Sequence, residues 1–162
     1  MTDRPVRADV HSPAVRRFNM QRIRGRDTKP ELQVRRGLHS RGYRFRVQVR
    51  DLPGRPDLVF PRYRAVIFVN GCFWHGHDCP MSVRPKTNAE FWVAKIAANV
   101  TRDACASLQL AELGWRRLTI WECALRGRAR WIADDLMIAC EAFLLGEQAV
   151  AELSGKWPAH EQ

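Results

Sequence analysis

The sequence predicts an α/β fold, a single domain with a central mixed sheet flanked by helices, on three observations. At 162 residues, 46% of them hydrophobic, the chain fills one core and is too short for two ordinary domains. Helical spacing over residues 28–41 gives way to strict alternation over 43–50 and returns after residue 88. A long helical stretch also lies between two apolar strands, which makes a parallel crossover their natural connection.

Residues 1–27 are Arg-rich, contain Pro5 and Pro13 and show no sustained apolar period, so they read as a basic arm able to order on binding. Thr28-Lys29-Pro30-Glu31 is a helix start, with Thr28 as N-cap, Pro30 in the first turn and Glu31 closing a capping box. Leu32, Val34 and Leu38 space a short helix that ends at Arg41 and turns Arg35, Arg36 and Arg41 outward. Tyr43, Phe45, Val47 and Val49 alternate with Arg44, Arg46, Gln48 and Arg50, the pattern of a half-buried strand with a basic face. A short strand at 57–60 and the buried strand RAVIFVN complete an antiparallel meander.

A long helix over 89–113, stopped by Gly114, has Trp92, Ile96, Val100, Ala104, Leu108 and Ala111 as its expected buried stripe. WRRLTIWEC is the next strand and 130–145 the last amphipathic helix. The organisation is an arm (1–27), a folded domain (28–145) and a loose tail (146–162).

The net charge of +10 is confined to one end: residues 1–50 hold 14 Lys+Arg against 4 Asp+Glu, and residues 51–162 hold 13 against 13. A basic arm and helix without an adjoining hydrophobic face favour nucleic acid over a membrane surface. The first thirty residues contain no apolar core of a signal peptide, and the longest apolar runs are about five residues, such as 65–69. The expected location is the cytoplasm.

Residues 71–80, GCFWHGHDCP, concentrate the chemistry. Five cysteines, an odd number in a reducing compartment, argue for metal ligands or core residues rather than disulfides. A closed structural zinc site takes four N/S ligands. Cys72, His77 and Cys79 have workable spacing, and Cys123, ending the strand after the crossover helix, can fall beside them; unliganded thiols are the other reading. Cys105 and Cys140 lie in helical patterns and read as small core residues.

Phe73 and Trp74, between two of these ligands, read either as core packing or as an aromatic wedge of the kind that unstacks base steps. Asp57, at a strand mouth after Gly54-Arg55-Pro56, can hold hydrated magnesium or simply pair with Arg55. His75 is left over once zinc is satisfied, free to carry a proton or to sit idle on the surface. Glu31 is explained by the capping box, with an outer-shell metal contact as an addition.

RGRDTKPE, LPGRPDLVF, VIFVNGCFWHGHDC, EFWVAKIAANVTRD and GWRRLTIWECALRG together resemble the very short patch repair (Vsr) endonucleases, a branch of the restriction-endonuclease-like nucleases. The resemblance spans residues 19–127, and GCFWH followed by WECALRG is not a generic metal pattern. It implies a restriction-endonuclease-like fold and a nickase that cuts 5′ of the thymine in a T:G mismatch left by deamination of 5-methylcytosine. The implied partners are mismatched double-stranded DNA bound by a monomer, then mismatch-repair proteins, a polymerase and a ligase. By position, Asp57 and the Val69 carbonyl would hold Mg²⁺, His75 would activate water, and Cys72, His77, Cys79 and Cys123 would hold Zn²⁺. Met20, Phe73 and Trp74 match the intercalating wedge, while Arg22, Arg24, Arg26, Asn99 and Arg102 fall in the DNA-contacting segments.

The chain departs from the family where a histidine is usual and Asn70 stands. Asparagine donates a hydrogen bond but does not titrate, so turnover would rest on His75 alone. Val69 replaces the usual threonine, and the His-rich stretch is thinned to Gly76 and Asp78. The competing expectation is a zinc-stabilised protein that binds distorted DNA with weak or no nicking.

Overall fold

Helix α1 (Lys29–Ser40) begins as its capping box dictates. In the computed structural model, which describes residues 25–158 together with Ser12 and Val15, the Glu31 N–H donates to Thr28 Oγ1 at 3.4 Å and the Asp27 N–H donates to Glu31 Oε2 at 2.8 Å. Such a cap is worth about 1 kcal/mol. Only Arg36 of the three arginines expected outward is exposed. Arg35 is drawn onto Asp27 and Glu31, and Arg41 onto Asp134 and Glu141, because unpaired carboxylates at these half-covered sites attract the nearest guanidinium.

The expected strand over residues 43–50 does not form. One antiparallel bridge joins Arg46 to Val59, and Gln48, at φ 57°, turns the chain out of extended geometry. Tyr43 and Phe45 still pack on the main core. The sheet order is β1-β2-β3-β4. Strands β1 (Leu58–Phe60) and β2 (Ala65–Asn70) are antiparallel around a 3₁₀ turn, Pro61–Tyr63, that closes at left-handed Arg64. Helix α2 (Ala89–Glu112) then crosses over to β3 (Arg116–Trp121), which runs parallel to β2 as expected.

The buried face of α2 matches the stripe the spacing suggested only at Trp92 and Ile96. Leu108 is 68% exposed and Val100 and Ala104 are exposed too. Ala111 is exposed as well, and Asn99, Asp103, Ala106 and Leu110 continue the inward face after Trp92 and Ile96. Successive four-residue steps drift around a helix of 3.6 residues per turn, whereas alternating fours and threes stay on one face. Two polar residues, Asn99 and Asp103, occupy that face because it lines a cleft. Cys105 is accordingly exposed, not a core residue, while Cys140 is buried.

A short helix, α3 (Glu122–Leu125), follows β3, and α4 (Ala133–Leu145) packs with α1 over the opposite sheet face. Residues 146–158 are not a loose tail. Strand β4 (Val150–Leu153) adds to β3 in parallel, because β3 would otherwise leave its backbone donors and acceptors unpaired at a sheet edge. Gly155 and Trp157 then return to the cysteine cluster. Among the described residues, no helix is long and apolar enough to cross a membrane.

Candidate active site and metal centre

Asn70 at the end of β2 and Trp121 at the end of β3 are register partners. Parallel strands therefore release residues 71–81 and α3 at the same end of the sheet, which brings Cys123 to the GCFWHGHDC segment. Cys72, His77, Cys79 and Cys123 offer ligand atoms that all lie within 4.8 Å of one another. Cys123 Sγ is 3.6 Å from His77 Nδ1 and accepts the Gly155 N–H at 3.1 Å. The His77 ring stacks on Trp121 with centroids 4.3 Å apart and planes at 13°, and the Trp121 N–H donates to Glu152 at 2.9 Å.

Three sulfurs and an imidazole at this spacing can hold a metal ion, and orienting contacts of this kind support ligands in such sites. Electrostatics agree with the donor set. A hydrogen bond from Cys72, aided by Gly155 and His77, draws the Cys123 thiol down to about 5. The same bond, with burial, pushes the Cys72 thiol up. Thiols this crowded cannot all ionise without a cation between them.

The segment between the ligands rests on α2. Gly76 has φ 66°, and a Cβ there would approach Val100 and Ile96 to 3.0 and 3.1 Å. The glycine at this position is thus matched to its contact with α2. Asn99 Nδ2 donates to Trp74 O at 2.7 Å and fixes the same loop to the helix.

Beside this knuckle opens a cleft of about 1160 Å³. Asp57 stands in it, with Oδ2 accepting the Val69 N–H at 2.7 Å. Burial pushes its carboxyl up to about 7, against the pull of the Val69 hydrogen bond, and the nearby Glu31 carboxylate adds to the rise. A half-desolvated carboxylate that resists ionisation is a group that a cation would stabilise. Glu31, 5% exposed, also lines the cleft while taking Thr28 Oγ1 at 2.9 Å and Arg35 Nη2 at 3.2 Å. Its capping and cleft-lining positions coincide.

Val69, Asn70 and His75 line the same cleft. His75 Nδ1 lies 2.6 Å from Asp103 Oδ2, and since a carboxylate oxygen only accepts, Nδ1–H is the donor. Phe73 and Trp74 are half-buried on the cleft wall and lie outside the three clusters of buried hydrophobic residues. They meet edge to face at 5.1 Å, and Trp92 braces both at 5.4 and 5.8 Å. Lys95 Nζ sits 5.7 Å over the Trp74 ring.

Arg102 lines the cleft and bonds Asn99 Oδ1, so the Asn99 amide is engaged within the protein on both sides. Arg26 is exposed beside Gln48. Met20, Arg22 and Arg24 lie outside the described residues. Sequence reasoning missed Trp92, Asp103, Glu122 and Arg126 as cleft or wedge residues. The available signal was the correct phase of α2, which puts Trp92, Asn99 and Asp103 on one face.

Comparison with known proteins agrees with this geometry. The family profile of the DNA mismatch endonuclease Vsr matches residues 8–81. The chain is 48% identical to the DNA mismatch endonuclease Vsr of Escherichia coli (strain K12) over 146 residues, covering 90% of this chain and 94% of that protein. It is also 48% identical to a type II nicking enzyme of Xanthomonas oryzae pv. oryzae, covering 78% of this chain and 97% of the relative. A type II nicking enzyme of Neisseria meningitidis is 38% identical over 75% of this chain and 86% of its own. The chain therefore belongs to the Vsr DNA mismatch endonuclease family.

Proposed function

We propose that the protein is a DNA mismatch endonuclease that nicks one strand 5′ of the thymine in a T:G mismatch and so starts very short patch repair. The observation that carries this reading is the meeting, in one cleft, of Asp57, Val69 and His75 with the half-buried aromatic pair Phe73 and Trp74. Hydrolytic groups and a base-step wedge have no reason to share a wall unless the substrate is a duplex to be opened and cut.

Asp57 and the Val69 carbonyl are the groups that would hold magnesium; among the described residues Asp57 Oδ1 accepts no hydrogen bond. Bound there, the ion supplies charge stabilisation to the phosphoryl and leaving oxygens. His75 Nε2 takes the proton of the attacking water, and Asp103 holds the ring in the required tautomer. Asn70 donates a hydrogen bond to a phosphate oxygen. Cys72, His77, Cys79 and Cys123 would hold zinc, which locks both ends of the segment bearing Phe73 and Trp74. The wedge then enters the weakened mismatched step, where the few kcal/mol needed for unstacking are least. Phosphate contacts come from Arg102 and from the arm residues Arg22, Arg24 and Arg26, with Met20 approaching from the other groove. A polymerase and a ligase complete the repair in the cytoplasm, where the DNA is.

A second reading, binding without cutting, is favoured by Asn70, since one titrating group is absent where the family usually has two. T:G duplex incubated with magnesium separates the two. Nicking that spares matched duplex supports the endonuclease, and tight binding with an intact strand supports the second reading.

A further inference from the structure

We propose that Arg55 is a further catalytic residue of the cleft, whose guanidinium binds the non-bridging oxygens of the phosphate to be cut. The proposal rests on the nickase reading of that cleft. It replaces the role that the sequence allowed for this arginine, an ion pair with Asp57. Among the described residues the Arg55 side chain makes no ion pair, hydrogen bond or ring contact, and the charges acting on the Asp57 carboxyl are those of Glu31 and Arg35.

Among the described residues three arginines line the cleft, and the other two are engaged. Arg102 bonds Asn99 Oδ1 and the Ala98 carbonyl, and Arg126 pairs with Glu122 at 2.6 Å. The remaining carboxylates of the cleft are occupied as well, Glu31 by Arg35 at 3.2 Å, Asp103 by His75 at 2.6 Å and Asp57 by the Val69 N–H at 2.7 Å. Arg55 is therefore a cation that the cleft itself does not neutralise. Its planar fork of donors matches two oxygens of one phosphate.

The backbone holds Arg55 in place at some cost. Gly54 and Arg55 are both left-handed, at φ 73° and 53°, and a residue with a side chain costs about 1 kcal/mol or more in that region. The packing around the turn enforces it: the Arg55 N–H donates to Leu52 O at 3.1 Å, Pro56 is buried, and a Cβ on Gly54 would come within 2.9 Å of Ala106 and 3.1 Å of Phe68. On this fixed turn the arginine itself is exposed. Arg55 and Asp57 stand two positions apart, so their Cα atoms lie within about 7 Å of each other. A phosphate set against Asp57, Val69 and His75 is thus within reach of the arginine side chain. While the water oxygen bonds to phosphorus and the bond to the leaving oxygen breaks, negative charge is spread over the non-bridging oxygens, where a fixed guanidinium lowers the barrier.

The test compares the full-length wild type with Arg55→Gly, which suits the left-handed backbone, and Arg55→Lys, which keeps the charge without the fork. Single-turnover nicking of a T:G duplex is measured with magnesium. Affinity is measured in EDTA, on the same duplex and on one whose phosphate 5′ of the mispaired thymine is an uncharged methylphosphonate. Arg55→Gly should nick about 10²- to 10³-fold more slowly, the loss typical of removing one donor to a reacting oxyanion. It should bind the ordinary duplex about tenfold more weakly, the effect of one hydrogen bond to a charged group, and the methylphosphonate duplex as well as the wild type does. Arg55→Lys should recover part of both losses. Nicking by Arg55→Gly at the wild-type rate, or an affinity gap that persists on the methylphosphonate duplex as a merely loosened fold would produce, overturns the proposal and leaves the nickase reading standing. A wild type that binds but never nicks overturns the nickase reading instead, and the affinity gap on the two duplexes then decides whether Arg55 holds that phosphate.

Discussion

The Asp103 carboxylate stands 2.6 Å from Nδ1 of His75, joining the middle of α2 to the loop between the metal ligands. The carboxylate accepts from Nδ1 and so holds the ring in the tautomer that the proposed general-base role of His75 requires. Asp103→Asn should lower the single-turnover nicking rate by roughly 10²-fold, the low side of a general-base contribution, with affinity for T:G duplex unchanged. Equal losses in rate and affinity would mean that Asp103 supports the fold of the loop and not the base.

Asp57 is raised to about 7 by burial from an ordinary value of 3.8. A carboxyl whose folded value lies above its unfolded value binds a proton more tightly when folded, so its favourable contribution is full below about 4 and is lost as pH rises through about 7. Asp57→Asn should therefore stabilise the magnesium-free protein, by up to about 4 kcal/mol near pH 8 and by less near pH 5.5. Urea unfolding at the two pH values checks this, and the same variant should not nick. A gain independent of pH would locate the strain elsewhere.

Metal analysis of protein purified without added zinc should find one equivalent per chain. A structural zinc contributes about 10–16 kcal/mol in small domains, at or above the whole net stability of most proteins. Cys123→Ala should accordingly unfold or aggregate. A soluble, metal-free variant of unchanged melting temperature would remove zinc from the account.

The wedge prediction extends to a third ring. Phe73→Ala with Trp74→Ala should abolish discrimination between T:G and matched duplex while leaving the zinc site intact. Trp92→Ala should lower discrimination less, since Trp92 braces both rings from α2. Affinities for the two duplexes give the ratio directly; an unchanged ratio in the double variant would make the pair mere packing.

Legibility followed physical locality. The α1 cap was readable because all its partners lie within four residues, from Asp27 to Glu31. The cluster of Cys72, His77, Cys79 and Cys123 was readable because a parallel crossover brings the ends of β2 and β3 together. Alternation at 43–50 misled, since one left-handed residue, Gln48, is enough to break a strand whose pattern is otherwise sound. The stripe of α2 misled because its inward positions at Asn99 and Asp103 are polar for the sake of the cleft. Strand β4 was hidden because its exposure alternates only weakly at a sheet edge, and nothing local announces that β3 needs a partner.

Replacing Asn70 by His should raise the single-turnover nicking rate by at least about tenfold if a second imidazole can assist there. A flat or lower rate would show that the cleft is built around the asparagine.

The central claim is that one cleft both selects the mismatch and cuts beside it. Its most direct test is to map the cut on an end-labelled T:G duplex incubated with magnesium, using the wild type and Asp57→Ala. The account predicts a single nick 5′ of the mispaired thymine by the wild type, no nick in matched duplex, and binding without nicking by Asp57→Ala. Equal cutting of matched and mismatched duplex, or an Asp57→Ala variant that nicks at the wild-type rate, would contradict it.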